Sequence, residues 1–171
     1  MATTYTLISS NVLTGSAASV TFSSIPSTYT DLVLRYSGRM DAGANKILKI
    51  QVAGADTSLS YTRLIGDPSV PSASSANGTG ISWAGYTDGS TMTANSFSSG
   101  EIYISNYAST SAYKAFSTVG MAETNATDAR MMAVAGLYSS NSAISSITLI
   151  DTSTANWVSG SSFYLYGIKN S

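Results

Sequence analysis

From Tyr5 to Ile168, apolar residues recur at every second position in about eleven short runs, each closed by turn-forming residues. In "DLVLRYSGRM" (31–40), Leu32, Leu34, Tyr36, Gly38 and Met40 share one face, and Val33, Arg35, Ser37 and Arg39 take the other. In "KILKIQV" (46–52), Leu48, Ile50 and Val52 point one way while Lys46, Lys49 and Gln51 fall largely outward. The same pattern runs through 3–8, 19–24, 60–66, 79–85, 101–107, 115–121, 131–138, 144–150 and 162–168. An extended chain sends successive side chains to opposite faces, so this alternation predicts strands with one face on a core.

Between the runs lie turn sequences such as "LTGSA", "DAGAN", "NGTG", "TDGS" and "YSSNSA". No segment carries a sustained 3.6-residue period with caps. The nearest is 122–137, where Asn125 and Asp128 could open a helical turn before Val134, Gly136 and Tyr138 resume alternation. Many short strands separated by turns predict one all-β domain over residues 1–171, an antiparallel β-sandwich of jelly-roll type. The stretch "GDPSVPSASSANGTG" (66–80), with two prolines and a cluster of small residues, reads as a long loop. The closing segment "SSFYLYGIKNS" is an interior strand whose three aromatics, Phe163, Tyr164 and Tyr166, are expected to lock the fold.

Composition narrows the function classes. Ser and Thr number 33 and 20, and only 10% of the residues are charged, against about 25% in an ordinary soluble domain. Eleven Tyr, four Phe and two Trp accompany them, so the chain can build a core and is not a disordered polar tract. The eight Lys and Arg are scattered over a net charge of −1, without the basic stripe that displaces counterions from phosphates. Nucleic acid is therefore not an expected partner. There is no basic-then-apolar leader, and no apolar run approaches the ~20 residues of a membrane helix. The sequons "NGT" (77–79) and "NAT" (125–127) would matter only in a secretory pathway.

The chemistry-bearing residues are equally sparse. With no His and no Cys, the commonest general base, thiolate catalysis and sulfur- or imidazole-ligated zinc are absent. No G-x-S-x-G elbow or phosphate-cradling loop occurs. Nine carboxylates remain, and two of them could in principle form a glycosidase pair. Asp41, Asp56, Asp67 and Asp88, however, stand in Gly- or Pro-containing turns, where Asp caps the backbone. Calcium at Asp56 or Asp88 is conceivable, but the acidic spacing of a calcium loop is missing. No enzyme activity, cofactor or metal is expected. Two aromatic stretches, "SWAGY" (82–86) and "NWVSG" (156–160), offer Trp83, Tyr86 and Trp157 as candidate ligand or interface residues. A flat ring beside polar neighbours can hold a sugar, but large aromatics dominate core burial, so the favoured reading is that each Trp plugs an end of the sandwich core.

The stretches "YTLISS" (5–10), "SAASVTFSSIPSTYTDLVLRYSGR" (16–39), "SYTRLIGD" (60–67), "EIYISNYASTSAYKAF" (101–116) and "GSSFYLYGIK" (160–169) resemble a module of structural proteins in tailed bacteriophages. The resemblance spans Tyr5 to Lys169 and is most specific over Ile25–Leu34 and Phe163–Lys169. It implies a virion component assembled in the host cytoplasm and carries no catalytic residues. The chain opens on Met with an immediate strand and has no coiled-coil heptads, which favours a capsid decoration, or cement, protein. Its expected partners are copies of itself, as a trimer on three-fold axes, and the major capsid protein or other virion proteins. The alternative is a tail-fibre module that binds a receptor or host-surface glycan through Trp83, Tyr86 and the 66–80 loop.

Overall fold

The computed structural model describes residues 4–54, 58–124, 128–151 and 153–169. Twelve strands form, and no helix occurs among the described residues. They are β1 Tyr5–Val12, β2 Ser19–Phe22, β3 Asp31–Gly38, β4 Lys46–Val52, β5 Leu59–Gly66 and β6 Ser72–Thr79. The second half supplies β7 Ser82–Thr87, β8 Ser98–Ile104, β9 Lys114–Glu123, β10 Ala129–Tyr138, β11 Ile147–Ile150 and β12 Ser162–Ile168.

Two antiparallel sheets pack face to face, as the alternation predicts. The larger has eight strands in the order β1-β12-β3-β8-β9-β10-β5-β6, and the smaller has four, β2-β11-β4-β7. This order does not establish a jelly-roll connectivity, which ordinarily divides eight strands between two sheets. The core lies between the sheets. Leu32, Leu34 and Tyr36 of β3 face it with Ile102 and Ile104 of β8, and Leu48, Ile50 and Val52 of β4 close it from the other side. Strand β9 alternates without a break: Lys114, Phe116, Thr118, Gly120 and Ala122 are buried, and the residues between them through Met121 are exposed.

The sheets approach closely around Tyr36. Its ring is buried against glycines of three strands, Gly85 of β7, Gly100 of β8 and Gly120 of β9. A Cβ on Gly120 would stand 2.8 Å from the Gly85 Cα across the interface. Only glycine permits two backbones to come this near. Burial raises the Tyr36 hydroxyl far above the ordinary phenol range.

Two expectations are corrected. Residues 66–80 are not one long loop, because 72–79 form β6, paired with β5 through Ile65↔Ser72, Leu64↔Ala73, Arg63↔Ser74, Thr62↔Ser75 and Tyr61↔Ala76. Backbone pairing with a long neighbour imposes the strand on a sequence of small residues that shows little preference for it. The closing strand β12 is interior, between β1 and β3, but its aromatics do not all enter the core. Phe163 is fully enclosed with Leu165, whereas Tyr164 and Tyr166 lie half-buried on the opposite face. The possible helical turn falls partly on Asn125, outside the described residues. Nearby, the amide and hydroxyl of Thr124 both donate to the carbonyl of Asp128, tying the end of β9 to the start of β10.

Candidate functional site

The three aromatic candidates are separated by the fold. Trp157 is fully buried, edge-on to Phe163 with ring centroids 4.9 Å apart, and its six-membered ring covers Gly38, where a Cβ would stand 2.6 Å away. It is a core plug. Trp83 is half-buried on β7, and the Arg63 guanidinium of β5 lies 3.1 Å above its ring. A stacked guanidinium occupies the ring face that a sugar would need. Tyr86 is also half-buried, and its carbonyl accepts the Tyr36 hydroxyl at 3.4 Å. Together these residues do not make an open stacking platform.

The carboxylates are engaged in holding turns and strand ends. Asp41 accepts the amide and side-chain NH₂ of Asn156 at 2.8 and 3.0 Å, which lowers its pKa below the ordinary carboxylate range. Asp67 accepts the amide and hydroxyl of Ser69 and pairs with Arg130 at 2.8 Å, and its pKa is lowered in the same sense. Asp31 accepts the Tyr103 hydroxyl and the Asn106 amide at 2.7 and 2.8 Å. Asp56 lies outside the described residues.

One carboxylate pair does come together. Asp88 is buried and accepts the Glu123 amide at 3.1 Å, and Glu123 in turn accepts the Thr93 amide at 2.6 Å. Both line a cleft of about 310 Å³ with Ser96 and Phe97. Burial pushes the Asp88 carboxyl above its ordinary value, against hydrogen bonds from Ser96 and the Glu123 amide. Beside it, the Arg39 guanidinium donates to the carbonyls of Ser90, Met92, Thr93 and Ser96 and to the Ser96 hydroxyl, at 2.8–3.3 Å. The arrangement staples the β7–β8 connection to the sandwich. Among the described residues, no three Asp or Glu gather as a potential metal-binding group.

One surface without an internal role is the outer face of the large sheet over β9, β10, β5 and β6. One cross-strand row reads Val119, Ala133, Leu64, Ala73, and the next pairs Met121 with Met131. Leu64 is 61% exposed, Met121 48%, Met131 46% and Val119 42%. Four such side chains gather on the order of 400 Å² of apolar surface, comparable to the largest patch on a typical monomer, which is often functional. Charge enters at the margins of this face, at Glu123, which follows Met121 on the same side of β9, and at Glu101, beside Val119, which is ion-paired to Arg35 at 2.8 Å. Shallow depressions of about 340, 440 and 530 Å³ run along it. Sequence reasoning placed β9, β10 and β5 but neither β6 nor this face, although the signal for the face was present: Val119, Met121, Met131 and Leu64 alternate with the core-facing residues of their own strands.

Compared with family models, curated proteins and solved structures, the chain finds no significant match.

Proposed function

We propose that the protein is a structural component of a tailed-bacteriophage virion, acting as a decoration or cement protein on the assembled shell. The observation that carries this reading is the apolar outer face of β9, β10, β5 and β6, whose central rows of Val119, Ala133, Leu64 and Ala73 and of Met121 and Met131 carry no charge. Interface cores are depleted of charge and enriched in Met and aromatic residues, and this face shares the depletion and the methionines. Its modest area suits a protein that binds a lattice many times over, since multivalent seating makes weak individual contacts sufficient. The resemblance of Tyr5–Lys169 to phage structural modules supports the same reading. A glycan-binding role finds no comparable support, because Trp157 is enclosed and Trp83 is covered by Arg63.

The test is mass spectrometry and cryo-electron microscopy of purified particles from the phage that encodes the chain. Hundreds of copies per particle on the shell are expected, with Leu64 and Met131 at the contact. Absence from purified virions would overturn the proposal, and a dozen copies at the tail would replace decoration by a tail role.

A further inference from the structure

We propose that β6 is a pairing edge for a second copy of this chain, the two β6 strands running antiparallel about a two-fold axis. The proposal does not depend on the virion reading. Strand β6 ends the eight-stranded sheet, and no described strand lies beyond it, so one side of its backbone offers unpaired N–H and C=O groups. Natural edges are blunted by lysines, prolines, bulges or short length, because an open edge is a template for another chain. The other three edges show such devices. The β1 pairing is bulged between Leu7 and Ser9, β2 has only four residues, and the β7 pairing shifts between Leu48 and Lys49.

The β6 edge is blunted only at its ends. Pro68 and Pro71 precede it, and a register shift between Leu59 and Tyr61 disturbs its far end, leaving 72–76 in unbroken register. No charged residue occurs from Pro68 through Thr87, so two copies approaching along this edge meet no like-charge repulsion. The apolar row of the outer face also runs to it. Leu64 stands beside Ala73, and Val70, 68% exposed, lies just before the strand. Two-fold pairing would therefore join the apolar faces of both copies into one continuous surface. An isologous contact of this kind is closed and stops at two copies. A five-residue edge buries less than the ~800 Å² per partner of a standard interface, so the dimer is expected to be concentration-dependent.

The chain contains no cysteine, which makes single-cysteine cross-linking of the full-length protein a clean probe. Directly opposite residues in an antiparallel pair have Cα atoms about 4.5–5.5 Å apart, inside the window that a disulfide spans. Cysteine is placed singly at each of positions 72–76, with Ser10→Cys on the opposite edge strand as control. Under mild oxidation, one of the five is expected to form a disulfide-linked dimer at least about tenfold faster than Ser10→Cys. Sedimentation equilibrium should show a monomer–dimer equilibrium, weakened about tenfold by Ser75→Lys, which places like charges across the axis. Circular dichroism checks that this exposed substitution leaves the fold intact. A protein monomeric at all attainable concentrations, a trimer, or a dimer indifferent to both probes would overturn the proposal. The copy number on particles would still stand or fall separately.

Discussion

Removing the closing segment "SSFYLYGIKNS" should abolish the folded state, for reasons the strand order makes specific. Strand β12 is paired on both sides, to β1 through Tyr5↔Ile168 to Val12↔Ser162 and to β3 through Asp31↔Ile168 to Ser37↔Ser162. Its loss leaves β1 with no neighbour and turns β3 into an edge. It also removes Phe163 and Leu165, both fully buried, and Ile168, 7% exposed. At ~1.5–3 kcal/mol for each buried side chain, these three contribute about 5–9 kcal/mol, against a whole-domain stability of ~5–15 kcal/mol. Trp157 stays behind but loses Phe163, its edge-on partner, so the cavity does not close by simple collapse. Thermal melts followed by circular dichroism and tryptophan fluorescence are the assay. The truncated chain should show no cooperative transition, while Leu165→Ala in the full chain should still melt cooperatively with a loss of ~2–5 kcal/mol. A truncated chain that is soluble and melts within a few degrees of the intact protein would refute the reasoning.

Three further outcomes follow from particular contacts. Gly120→Ala should destabilise by ~1–3 kcal/mol in urea unfolding, because the added methyl would sit 2.8 Å from the Gly85 Cα and neither backbone can yield freely. Arg39→Ala should cost ~1–3 kcal/mol and expose the amides of the 89–97 connection to hydrogen exchange while the β3–β12 ladder stays protected, since five hydrogen bonds to that connection are lost. Asp88 bears on pH. Its folded pKa lies above the ordinary 3.8, so its contribution to stability is fully present below that value and is lost as pH rises through the folded pKa. Asp88→Asn, which keeps an acceptor for the Glu123 amide, should therefore raise the melting temperature at neutral pH and remove that loss; an unchanged pH profile would count against burial as the cause.

How much of this was legible depends on what holds each element in place. Strands β3, β4 and β9 could be read directly, because Leu32, Leu34, Leu48, Ile50 and Phe116 bury one face and period two follows from burial. Strand β12 was legible as a strand, but alternation alone could not tell which of Phe163 and Tyr164 faces the core when both faces carry aromatics. Its neighbours decide that: Tyr166 stands between Leu7 and Val33 on the outer face, and Val33 is itself buried there. Lys114 was legible in principle, since it shares the parity of Phe116 and Thr118. A lysine on a buried face is nevertheless read as an exception until its partners appear, and here Nζ donates to the carbonyls of Ser140 and Ser142, both at 2.8 Å.

Strand β6 marks the limit of local reading and also explains the proposed use of the region. "SASSANGT" contains one β-branched residue, at its end, and no aromatic, so nothing in its own side chains requires an extended backbone. What holds it is the ladder to β5, a property of another segment's pattern and therefore invisible within residues 66–80. A strand held in this way has little side-chain identity to protect and almost nothing to bury of its own, as its exposed pattern shows. Its remaining chemical offer is the open backbone edge and the small, uncharged side chains that let a second backbone come close. The features that hid β6 from sequence reasoning are thus the ones that suit it to pair with another copy of the same strand.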